Sequence, residues 1–137
     1  MEGCDKPSLI LDERNNILAI VIYSNQEFKG IQFISPDYFA LQLGTMNRPK
    51  GEIVAAHIHK QQIRTVEGTQ EVLIVRSGKM LVELFDDKKK FVQSVLVEKG
   101  DIILLAFGGH SIKMIENVEL VEVKQGPYTQ ILDKDYI

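Results

Sequence analysis

The 137-residue chain has no tryptophan, one cysteine, four prolines and no excess of positive charge. Each scarcity excludes something. With Cys4 as its single cysteine, the chain can form no internal disulfide. A catalytic thiol also needs a base or a cation held beside it, and the local sequence around Cys4 supplies neither. Sixteen basic residues against nineteen acidic ones give a formal net charge of −3. That is the wrong sign for a surface that neutralises phosphates, so no nucleic-acid partner is expected. The one basic run, Lys88-Lys89-Lys90, directly follows Asp86-Asp87 and reads as a solvated turn. No stretch reaches the ~18 apolar residues that a membrane-crossing helix needs. Residues Met1 to Pro7 carry acids where a secretory signal has a basic and then an apolar segment. The expected address is therefore cytoplasmic. A phosphate-cradling glycine loop, a Ser/His/Asp triad and a nicotinamide fingerprint are also absent.

What is present is a succession of short strand-like runs. Leu18 to Tyr23 is apolar and rich in β-branched residues, with Asn15-Asn16 before it and Ser24-Asn25 after it as turn formers. Further runs are expected at Gly30–Ser35, Phe39–Met46, Ile53–Ile58, Glu71–Val75, Lys79–Phe85, Phe91–Val97, Asp101–Phe107, His110–Ile115 and Val118–Val123. Ser77-Gly78, Asp86-Asp87, Lys99-Gly100, Gly108-Gly109 and Glu116-Asn117 punctuate them. No segment has a sustained helical period. The pattern predicts an all-β sandwich or barrel with under about one-tenth helix. One polar stretch, Lys60 to Gln70, is longer than an ordinary hairpin loop and is a candidate cover for a binding mouth.

The candidate chemistry begins at His57-Ile58-His59. On a strand, residues two apart share a face, so both imidazoles would point one way. Neutral imidazole is a common ligand of divalent metals. Five residues separate Gly51 from His57, and six separate Glu71 from Gly78. A third element runs from Gly100 to Gly108-Gly109-His110. These segments resemble the two signature motifs of the cupin superfamily, over roughly residues 39 to 123. The chain departs from that pattern in four ways. Eleven residues separate His59 from Glu71, Ala106 stands where the second motif has proline, the stretch from Gly100 to His110 is one residue short, and Met114 occupies the slot of the motif's asparagine.

The resemblance implies a cupin-type antiparallel β-barrel, the jelly-roll-like double-stranded β-helix. It implies one domain over 1–137, with a metal-site core at about 39–123, an N-terminal strand region at 1–38 and a C-terminal tail at 124–137. Carried over by position, the metal ligands would be His57, His59, Glu71 and His110, which use every histidine in the chain. Glu67 competes with Glu71 for the carboxylate place. Such a site would hold one divalent transition metal, and mixed N/O donors suit Mn, Fe, Ni, Zn or Co alike. Arg64 and Lys60 are candidate anion-binding residues at the mouth. Tyr128 and Tyr136, in the polar tail, are candidates to fold over an opening. The phrases Arg64 to Leu73 and Glu122 to Tyr128 are similar to a subgroup of small cupins that accompany surface-polysaccharide biosynthesis. A homodimer and a small-molecule ligand follow from the same resemblance.

Three functions are compatible with these residues. The first is a metalloenzyme acting on a small oxygenated substrate, as a sugar-like isomerase or an Fe-dependent dioxygenase. The second is a non-catalytic module that binds a sugar or carboxylate beside a structural metal. The third is a metal-free epimerase in which a histidine acts as general base, and it requires that the histidines are not all used as ligands.

Overall fold

A computed structural model describes residues 7–128 and 134–137. Cys4 lies outside the described residues. Among the described residues, ten strands run in chain order as β1 (Ser8–Leu11), β2 (Ile17–Ile22), β3 (Ile31–Phe33), β4 (Gly44–Met46), β5 (Glu71–Ser77), β6 (Lys79–Phe85), β7 (Phe91–Glu98), β8 (Ile102–Leu105), β9 (Gly109–Met114) and β10 (Glu119–Lys124). All pairings are antiparallel, and no helix occurs among the described residues. Among the described residues, no helix is long and apolar enough to cross a membrane.

The strands form three sheets. Five follow the order β1-β2-β8-β5-β10, three the order β7-β6-β9, and β3 pairs with β4. The five-stranded sheet is covered on both faces, which explains why Ile17 to Ile22 is apolar without alternation. One face presents Ala19, Val21, Leu73, Val75, Ile103 and Leu105 to Met80, Val82, Leu84, Val95 and Val97 of the three-stranded sheet. The other face presents Ile20, Val72 and Leu104 to Ile34, Phe39, Leu41 and Leu43. Strand β6 shows the half-buried rule: Met80, Val82 and Leu84 are buried and their neighbours are not.

Turn chemistry fixes the registers. Between β1 and β2, the Asp12 carboxylate accepts from the Arg14 and Asn16 backbone N–H groups and from Asn16 Nδ2, while Asn15 takes a left-handed φ of 63°. Gly78, between β5 and β6, has φ of 86°, and a Cβ there would run into the Asn117 carbonyl. Buried Asp101 ties the start of β8 to two other segments by accepting from the Ser24 and Glu98 backbone N–H groups at 2.8 and 2.9 Å.

The structure differs from the sequence reading at four points. Strand β1 is additional. The run expected at Phe39–Met46 is a strand only from Gly44, and its first half packs as a loop over the outer face of the large sheet. The run expected at Ile53–Ile58 pairs with nothing among the described residues and is not a strand; residues 47–70 form one long strap outside any ladder, with a turn at Lys50-Gly51 and a bend at Gly68. Three separate sheets are seen in place of a closed barrel among the described residues.

Candidate functional site

Strand registers bring the polar site together. In β5, Glu71 shares a face with Leu73 and Val75, so it points between the sheets at the end of that strand. In β9, His110 lies opposite Leu84, so it points inward from the facing sheet. The two meet across the sandwich with His110 Nε2 at 2.9 Å from Glu71 Oε1. The Glu71 side chain keeps 15% of its exposure and His110 33%, so the pair sits at the edge of the interior rather than deep in it.

Strand β10 adds two more groups on the same face. Glu122 is opposite Leu73 and Lys124 is opposite Glu71. The Glu71 carboxyl is held down to about 2, chiefly by its hydrogen bond to His110, against the opposing effect of burial; a hydrogen bond from Glu122 adds to the lowering. Glu122 is shifted up, first by sharing a hydrogen bond with Glu71 and then by burial. Glu71 is therefore the ionised member of the carboxyl pair, and Glu122 is the member that holds a proton as pH falls.

This cluster opens into a cleft of about 1810 Å³. Glu71, His110 and Lys124 line it, together with Phe39, Phe107 and Tyr136. Arg64 of the strap also lies on its wall, with its guanidinium donating to Gln62 Oε1 at 3.0 Å. Lys60 and Glu67 are exposed strap residues, of which Glu67 borders the cleft and Lys60 does not. Tyr128 is exposed away from it, whereas Tyr136 forms part of its rim.

The four expected metal ligands fall into two pairs. Glu71 and His110 are in contact. His57 and His59 are neighbours on the exposed strap, with ring centroids 5.1 Å apart and His57 Nδ1 at 2.7 Å from the Ala55 carbonyl. Among the described residues, no group of three or more His, Cys, Asp or Glu side chains is close enough together to hold a metal ion.

Glu122 and Lys124 were not singled out by sequence reasoning. Their signal is the alternation of β10, which becomes readable only once its register against β5 is known. In comparisons with known proteins, no family model, no curated protein and no solved structure matches this chain.

Proposed function

We propose that this chain is a cupin-type protein that takes a small oxygenated molecule, sugar-like or keto-acid-like, into the cleft and handles protons on it through Glu71 and His110, in the manner of an isomerase or epimerase. The contact between Glu71 and His110 at the cleft wall carries this reading. A carboxylate on one ring nitrogen orients an imidazole and fixes which nitrogen carries the hydrogen. The other nitrogen, Nδ1, is then the one to take a proton from a carbon next to a carbonyl and return it to the same or the adjacent carbon. Lys124 supplies positive charge near the developing oxyanion, and Arg64 adds a second cation for an anionic substituent.

The test is solvent deuterium incorporation into a panel of keto acids, keto sugars and nucleotide sugars. Incorporation that His110→Ala abolishes and Glu71→Gln slows supports the reading. Incorporation unaffected by His110→Ala refutes it.

A second reading adds one divalent transition metal among Mn, Fe, Ni, Zn or Co. It is favoured by the two close imidazoles of the strap, because three imidazoles and a carboxylate are donors suited to those ions. It requires His57 and His59 to reach Glu71 and His110, and metal content of tag-free protein tests it. The same pocket without turnover would be a binding module for a sugar or carboxylate.

A further inference from the structure

Glu71 stands at a place where a strand ordinarily frays. It is the first residue of β5, and its pairs with Lys124 and Leu105 are the end rungs of the two ladders that flank β5. Before it lies the strap. From Ile53 to Thr69 the strap backbone makes no hydrogen bond to another backbone group among the described residues. A strand end that runs on into unpaired chain opens at little cost, because few contacts resist its opening. Yet the Glu71 carboxylate meets His110 Nε2 at 2.9 Å, a contact that a frayed end would not keep.

A side chain closes that end. Continued one residue past Lys124 and Glu71, the β5–β10 ladder would pair Gln125 with Gln70. The bond there is made by a side chain instead: the Gln70 N–H donates to Gln125 Oε1 at 2.8 Å. Gln70 Oε1 in turn accepts from the Leu41 N–H at 3.0 Å, which ties the same point to the loop over the outer face of the large sheet. Strand alternation carried one residue further puts Gln70 and Gln125 on the face opposite Glu71 and Lys124. Gln125 does not line the cleft. Its Nε2 is shut off from solvent and has no partner among the described residues. A buried donor left unpaired is destabilising, so packing alone does not account for a glutamine here. Its useful atom is the acceptor.

We propose that Gln125 is a positioning residue for the Glu71–His110 pair: it pins the main chain at Gln70, one residue before Glu71, and so keeps the carboxylate on the imidazole. It hydrogen-bonds neither member of the pair among the described residues and acts through the backbone of residues 70 and 71. The tie from Gln70 to Leu41 does not replace it. That tie holds the end of a side chain, whose rotatable bonds leave the backbone room to shift, whereas the bond to Gln125 holds the backbone N–H itself. The inference rests on the reading of Glu71 and His110 as the reacting pair, and it adds what keeps them in register.

The test compares urea midpoints of the full chain at pH 6. It reads neither ligand nor turnover, so its failure is distinct from failure of the deuterium experiment. Gln125→Met nearly keeps the volume and removes the acceptor. The midpoint gap caused by Glu71→Gln is measured in the parent and again in the Gln125→Met background. A residue that merely stabilised the fold would lower both midpoints alike and leave the gap unchanged. In the Gln125→Met background the gap should fall below half its parent size. Ile10→Ala, a truncation of a buried side chain in β1, should leave the gap as it is in the parent. A gap of half or more with Gln125→Met overturns the proposal, and so does a gap that Ile10→Ala shrinks equally. No gap in the parent overturns the Glu71–His110 pairing and this inference with it. A second measurement uses the parent and covers a Gln125→Met chain that does not fold. Hydrogen exchange followed residue by residue should show the Gln70 amide at least about tenfold slower than the amides of residues 66–69. Less protection than that overturns the proposal.

Discussion

Replacing Glu71 with glutamine tests the core of the site without removing volume. The amide still accepts a hydrogen bond from His110, but the negative charge is gone. A carboxyl held at about 2 against an ordinary 4.5 is worth about 3 kcal/mol of stability when taken at face value. A third of the His110 side chain remains exposed, so solvent screens the pair and about 1–2 kcal/mol is the expected loss. The sign follows from the direction of the shift. A depressed carboxyl stabilises the fold at pH values above its unfolded value, and that stabilisation is lost as pH falls toward 2. Urea denaturation at pH 6, 4 and 2 should therefore show Glu71→Gln below the parent at pH 6, with a gap that narrows at pH 4 and closes near pH 2. Equal midpoints at pH 6, or a gap that is the same at pH 2, would refute the account of Glu71 as an ionised partner of His110.

Glu122→Gln should act in the opposite sense. A raised carboxyl is one whose charged form the fold disfavours, so removing the charge while keeping a donor toward Glu71 should raise the urea midpoint at pH 7. Leu104→Ala removes a fully buried side chain from the outer core cluster and should cost about 2–5 kcal/mol by the same assay. Gly78→Ala should destabilise more than its size suggests, because its φ is positive and its new methyl would meet the Asn117 carbonyl; a thermal midpoint equal to the parent's would contradict that geometry.

Much of the fold was legible because most strands announce themselves locally. Lys79–Phe85 was readable to the residue from its alternation and the Ser77-Gly78 turn, and β5, β7, β9 and β10 to within two residues. What failed depended on partners far away in the chain. Ile53–Ile58 has strand composition, yet a strand is defined by a ladder, and composition does not say whether an edge is within reach. Phe39 to Leu43 has the apolar content of a strand but spends it covering Ile20, Val72 and Leu104 as a loop. At the site, Glu71 and His110 were named through the resemblance, and the strand registers bring the two into contact. His57 and His59 were given a shared face on the premise of a strand that does not form within one chain. Glu122 was invisible because its role is set by a register with β5, and registers are tertiary information.

The order β1-β2-β8-β5-β10 has a consequence for how the chain could be divided. Strand β2 lies between β1 and β8, with Ala19 to Ile22 laddered onto Leu105 to Ile102, so the first third of the chain is stitched into the sheet made by the last half. The covalent route between these parts runs through the strap, which contributes no rung to any ladder of its own chain. A break in the strap would sever the polymer while leaving every ladder hydrogen bond of β2 and β8 in place. The protein is thus organised as two interleaved fragments held by backbone pairing and a shared interior, with the sequence between them free to serve as a tether.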